Sequence, residues 1–232
     1  MRSRGRRTLA ALTLTALTGL AGCGALGAGE DPTNDAASSG GPSEPGEAAT
    51  MPTEVPSWLL ECGQDDKERE EALQLADLDL TAATWTTPPG FVETSSYIED
   101  NPVETLHSTW YAEPTDPPMP SLNVIQVVIY TGLDWDGLAD GCGRVPLEAI
   151  QEQLARYREQ IDAEPLSDAE ITTLAGHPAI QQDIGLASYR YTGWWLFSET
   201  QLLHLYCQWT PEGDRDVIVR GCDDLAASLQ VG

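Results

Sequence analysis

Between Leu122 and Tyr130 the chain is apolar at almost every position. Read with the two-residue period of a strand, Leu122, Val124, Val128 and Tyr130 fall on one side and Ile125, Val127 and Ile129 on the other. A strand apolar on both sides belongs in the middle of a sheet, so the segment predicts a central strand in a core-forming domain.

The flanking residues supply the rest of that sheet. A charged, helix-permissive stretch spans residues 63–75, and Thr84 to Thr87 predicts a short strand stopped by Pro88-Pro89-Gly90. A further strand is expected from Val103 to Ala112. Leu147, Ile150, Leu154, Tyr157 and Ile161 recur at three and four, behind Pro146 and with Glu152 four residues before Arg156, the pattern of an amphipathic helix. Four runs follow, Ile171 to Leu174, Gly176 to Ile184, Ser188 to Phe197 and Gln201 to Trp209, separated by short turns and expected to form an antiparallel meander. In the last of them Leu203, Leu205, Cys207 and Trp209 share a face. Ile218, Cys222, Leu225 and Leu229 then fall on a helical stripe, although Val217 to Val219 also suits an extended chain.

The N-terminal region says where such a domain works. Arg2, Arg4, Arg6 and Arg7 form a positive n-region, Leu9 to Leu20 a short apolar segment, and Leu20-Ala21-Gly22-Cys23 reads as a lipobox. Residues 1–22 are expected to be a lipoprotein signal peptide, exported by the general or the twin-arginine route, leaving Cys23 to carry the lipid. Two or three acyl chains on one residue, each buried methylene contributing about 0.8 kcal/mol, hold a protein on a membrane without a spanning helix. From residue 23 to about 56 the chain is small, polar and acidic and is expected to be a disordered tether, which would space the domain roughly 30 Å from the bilayer. The remaining stretch, 57–232, is of single-domain size. The expected location is the outer face of the cell membrane.

The whole chain has 12 basic and 37 acidic residues. Removing the four n-region arginines leaves 8 basic residues and a formal charge of −29. That balance excludes nucleic acid as a partner and favours cationic ones, the simplest reading being the solvated surface of a secreted protein. With Cys23 assigned to lipid, Cys62, Cys142, Cys207 and Cys222 remain, outside the cytoplasm, where disulfides persist. Three connectivities are possible. The stripe carrying Cys222 needs the sheet face that Cys207 occupies, which pairs those two and leaves Cys62 with Cys142.

Pro89-Gly90-Phe91, the mid-chain helix, the turn Ala175-Gly176-His177-Pro178-Ala179 and a final helix containing Leu225-Ala226-Ala227-Ser228-Leu229 resemble the PsbP-like α/β/α fold, to which actinobacterial lipoproteins of the LpqN type are similar. The resemblance covers about residues 80–232. It implies an α+β domain, a curved antiparallel β-sheet flanked by helices on both faces, used mostly as a non-catalytic binding or assembly module. No metal-binding or partner-binding residue of the photosynthetic members is carried over.

Nucleophile-elbow, zincin, Walker A and dinucleotide-binding motifs are absent, so no catalytic residue, cofactor or metal is assigned and the chain is not expected to be an enzyme. His107, His177 and His204 fall on separate elements. Asp134-Trp135-Asp136-Gly137 followed by Asp140 superficially resembles a calcium loop, but Leu138, Ala139 and Val145 stand where a ligand, a glycine and a bidentate acid are required. Trp194 and Trp195 must point to opposite faces of a strand. Tyr189, Tyr191 and Trp195 share one of those faces and form the proposed binding surface for a glycan or a protein. The resulting expectation is a monomeric, membrane-anchored adaptor for an unnamed envelope protein or glycan; the alternative is a receptor for a small ligand, glycan or cation, which requires a preformed concave pocket.

Overall fold

The computed structural model describes residues 72–211 and 213–232. The segments expected to be a signal peptide and a tether, together with Cys23, Cys62 and residues 63–71, lie outside the described residues.

Among the described residues ten strands and two α-helices are present in chain order: β1 Ala72–Gln74, β2 Phe91–Glu93, β3 Thr105–Pro114, β4 Val124–Thr131, β5 Arg144–Pro146, α1 Leu147–Gln160, β6 Glu164–Pro165, β7 Glu170–Leu174, β8 His177–Gly185, β9 Arg190–Phe197, β10 Gln201–Trp209 and α2 Arg215–Ser228. Eight strands form one sheet in the order β2-β3-β4-β10-β9-β8-β6, with β7 also on β8. Every pairing between its strands is antiparallel. β1 and β5 make a separate antiparallel pair.

The central position read from the sequence is the observed one: β4 lies between β3 and β10, and its two faces enter two different cores. Val128 and Tyr130 pack with Ile150, Leu154 and Tyr157 of α1. Ile125, Val127 and Ile129 pack with Ile218, Cys222 and Leu225 of α2. A helix therefore covers each face of the sheet. At about 1.5–3 kcal/mol for each fully buried aliphatic side chain, these two stripes are the main reason the helices dock.

Local chemistry sets the helix ends. α1 follows Pro146, whose missing N–H costs nothing at a helix start. α2 is capped by Asp214, whose Oδ1 accepts from the amides of Asp216 at 3.0 Å and Val217 at 3.3 Å. The meander β7-β8-β9-β10 forms as expected, with Ala175 and Gly176 both at positive φ, 52° and 83°, in its first turn. Cys207 and Cys222 are bridged, their Cα atoms 6.1 Å apart, tying β10 to α2.

Five expectations are corrected. Only Thr84 of the predicted strand Thr84 to Thr87 pairs, as an isolated bridge to Gln230, because two prolines follow and a ladder needs N–H donors. Residues 72–74 are strand rather than helix, held by register with Arg144, Val145 and Pro146. β3 is displaced two residues toward the C-terminus of the expected span and carries a bulge at His107, between Leu106 and Ser108. Leu122 precedes β4 at φ 68° and is not part of the strand. Arg156 donates to Gln153 instead of pairing with Glu152.

One disulfide, Cys207–Cys222, is found between described residues where the sequence leads to two. Cys142 is not a free thiol, but its expected partner Cys62 lies outside the described residues.

Candidate functional site

The face of the sheet that meets α1 is not completely filled. Alternation places Tyr191 and Trp195 of β9, His204 and Tyr206 of β10, Gln126 and Tyr130 of β4 and Tyr111 of β3 on that face. Tyr157 and Arg158 of α1 and the segment 96–103, between β2 and β3, form the remaining walls. Together they enclose a cavity of about 410 Å³.

All seven tyrosines of the chain line this cavity: Tyr97, Tyr111, Tyr130, Tyr157, Tyr189, Tyr191 and Tyr206. Adjacent rings are in contact. His204 stacks against Trp195 at 4.6 Å between centroids and against Tyr206 at 4.5 Å, and Tyr191 leans on Tyr206 at 5.1 Å and on His204 at 5.9 Å. The stack has room because residue 193 is glycine, since a Cβ there would lie 2.6 Å from Trp195 Cη2 and 2.9 Å from His204 Nε2.

Two buried polar atoms of the lining have no hydrogen-bond partner among the described residues, Tyr111 Oη and His204 Nε2. Thr109, two residues back on the same strand face, is close enough to influence the Tyr111 hydroxyl but makes no hydrogen bond of acceptable geometry with it. Orphaned buried polar groups are uncommon, and a site awaiting a polar ligand is one physical reason for them. Burial lowers the His204 imidazole to a pKa of about 3, so it is neutral at physiological pH. Burial raises Tyr130, Tyr191 and Tyr206, with the Glu99 charge adding to it, so these hydroxyls stay protonated.

The charged groups in the lining are Glu99, Asp100 and Arg158. Glu99 is half-buried; its Oε2 accepts from Tyr206 Oη at 3.0 Å, and burial raises its carboxyl above the ordinary glutamate value against that hydrogen bond. Arg158 Nη1 donates to Gln182 Oε1 at 2.8 Å, and desolvation lowers its pKa. Among the described residues Glu99 and Arg158 make no ion pair with each other or with any other side chain.

The segment 96–104 is pinned over the site by polar contacts. Tyr97 Oη donates to Glu113 Oε1 at 2.6 Å and accepts from the Leu122 amide at 3.1 Å. Tyr157 Oη and Gln153 Nε2 both donate to Glu104 Oε1, at 2.8 and 3.0 Å. Ile98, at the rim, is 80% exposed.

Tyr189, Tyr191 and Trp195 are thus brought together, but not as an exposed platform. Tyr191 is 4% and Trp195 3% exposed, and Tyr189 is half-buried, because α1 and the segment after β2 cover that face. Trp194, on the other face, packs against the second core. His107 is exposed and His177 starts β8, away from the cavity lining. Asp140 is occupied locally, its Oδ1 accepting from the Cys142 and Arg144 amides and its Oδ2 pairing with Arg144 Nε at 2.9 Å. Among the described residues no group of three or more histidine, cysteine, aspartate or glutamate side chains is arranged to hold a metal, and no helix is long and apolar enough to cross a membrane.

Sequence reading missed Glu99, His204 and the other five tyrosines. The available signal was parity, since His204 and Tyr206 alternate with Leu203, Leu205 and Cys207 and so face away from α2.

No protein-family model matches the chain, and no curated protein matches it in sequence. Several solved structures are similar in part, two of them as follows. One is the solution structure of cyanobacterial PsbP (CyanoP) from Synechocystis sp. PCC 6803, at 9% identity and a TM-score of 0.40, covering 68% of this chain and 98% of that one. The other is a crystal structure from Bacteroides thetaiotaomicron VPI-5482, at 10% identity and a TM-score of 0.38, covering 65% of this chain; the chain spans 45% of that protein's length.

Proposed function

We propose that this chain is a lipoprotein of the outer face of a bacterial cell membrane whose folded domain is a non-catalytic receptor for a small organic ligand. The tyrosine-lined cavity carries the reading: about 410 Å³ is the size of a small-molecule site, and its wall combines aromatic faces with a few polar groups that have no protein partner. The lipobox at Leu20-Ala21-Gly22-Cys23 and the arginine-rich segment before it support the anchor on Cys23 and the location. The order of elements, with a turn at Gly90, a mid-chain helix, a turn at Gly176 and a final helix, supports a PsbP-like arrangement. The paired state of Cys142 supports a second disulfide, to Cys62.

An adaptor role toward an envelope protein or glycan is the second reading. Ile98 exposed at the rim favours it; the inward orientation of Tyr191 and Trp195 removes the surface first assigned to it. The full chain in non-ionic detergent, screened against a fragment collection by tryptophan fluorescence and ligand-observed NMR, is expected to yield ligands whose binding Tyr111→Phe weakens by removing the unpartnered hydroxyl of the lining. An empty screen with the unaltered protein, alongside in-cell crosslinking to one envelope protein, would replace the receptor by the adaptor.

A further inference from the structure

We infer that the cavity takes a monovalent organic cation, held by aromatic faces beside the Glu99 carboxylate. The inference rests on the cavity being a ligand site. Glu99 is half-buried in the aromatic wall, accepts one hydrogen bond from Tyr206 and one long one, 3.4 Å, from the Asn101 amide, and has no cationic partner among the described residues. A carboxylate presents about four acceptor positions, so a neutral ligand leaves its charge and part of its hydrogen-bonding capacity uncompensated. Burial already disfavours that charge.

The rings around it supply the second half of the recognition. The planes of Tyr191 and Tyr206 lie 51° apart, and Trp195 continues the wall through His204. The negative π-faces of tyrosine and tryptophan attract a cation by about 0.5–1 kcal/mol when exposed and about 2 when desolvated. Tyr111 Oη, on a residue 4% exposed, adds an unused polar group.

Hydration separates organic from inorganic cations. A hard metal ion such as calcium or magnesium takes six or more oxygens, which an aromatic wall does not offer, and no cluster of metal-ligating side chains is found among the described residues. A quaternary alkylammonium, with no N–H donors, holds its water loosely and gains from both ring faces and carboxylate. Anions are opposed by Glu99 and Asp100. Arg158, tied to Gln182, opposes a second positive charge and suits a ligand whose other end carries an acceptor.

The test compares choline with 3,3-dimethylbutan-1-ol, its neutral isostere with carbon in place of nitrogen, on the full chain in non-ionic detergent near neutral pH, followed by calorimetry and tryptophan fluorescence. Choline is expected to bind at least tenfold more tightly than the isostere, and Glu99→Gln to reduce that preference about tenfold. Equal or tighter binding of the isostere overturns the cation assignment and leaves a receptor for neutral ligands standing. Failure of both probes at millimolar concentration also overturns it, and the receptor reading falls with it only if the fragment screen is empty too. The isostere comparison needs no substitution, so a folding defect in the Glu99 variant leaves the result decisive.

Discussion

Trp195 and His204 sit directly opposite each other in the β9–β10 register and stack ring on ring, 4.6 Å between centroids and 17° from parallel. Tyr206 covers His204 from its own strand at 4.5 Å. The imidazole is thereby removed from water without a partner for Nε2 among the described residues, which makes it a neutral ring in an aromatic wall at physiological pH.

The first consequence is an acid-sensitive fold. His204 has its pKa lowered to about 3 from 6.5, so between those values the unfolded chain binds more protons than the folded one and stability falls as pH falls. One such group gives a slope of up to about 1.4 kcal/mol per pH unit. Urea unfolding of the unaltered protein and of His204→Phe, measured at about pH 4.5 and pH 7.5, should show a markedly flatter pH dependence in the variant. Identical slopes would mean that His204 is not the buried neutral group.

Glu99 has the opposite sign. Its folded pKa is raised above 4.5, with burial the largest cause, so its ionisation opposes folding and stability is lost as pH rises through that raised value. Glu99→Gln keeps an acceptor for Tyr206 and removes the charge. It is expected to raise the melting temperature near pH 7 while weakening cation binding, a trade of stability against function. A lower melting temperature at neutral pH would show that the carboxylate is compensated.

Gly193 is needed for space, not for backbone freedom. Alanine there would bring its Cβ within 2.6 Å of Trp195 and 2.9 Å of His204, and overpacking of this kind costs about 1–3 kcal/mol. Gly193→Ala should lower the denaturation midpoint and change the Trp195 emission. No change in either would place the Trp195 ring elsewhere.

The Cys207–Cys222 bridge closes a loop of 15 residues, worth about 3 kcal/mol in the chain-entropy model. The double variant Cys207→Ala/Cys222→Ala should lose about that much in urea unfolding. Peptide mapping of the unreduced protein should recover Cys62 joined to Cys142; Cys62 joined to Cys207 or Cys222 would refute the pairing.

The sequence by itself determined the layers. Periodicity is local: the two-sided apolar run of β4, the three-and-four spacing of α1 and the stripe from Ile218 to Leu229 each state which side must be buried, and the coincidence of the Cys207 face with the Cys222 stripe predicts their bridge. Only the tertiary structure decided the site. Its tyrosines are scattered from Tyr97 to Tyr206, and strand pairing between distant segments gathers them on one face. Parity places Tyr191 and Trp195 on a common side, yet their exposure depends on α1 and the segment after β2, whose position follows from packing and from contacts such as Tyr157 with Glu104 and Tyr206 with Glu99. A ring reads the same in sequence whether it faces water or a cavity, because the difference lies in what the distant chain leaves unfilled above it.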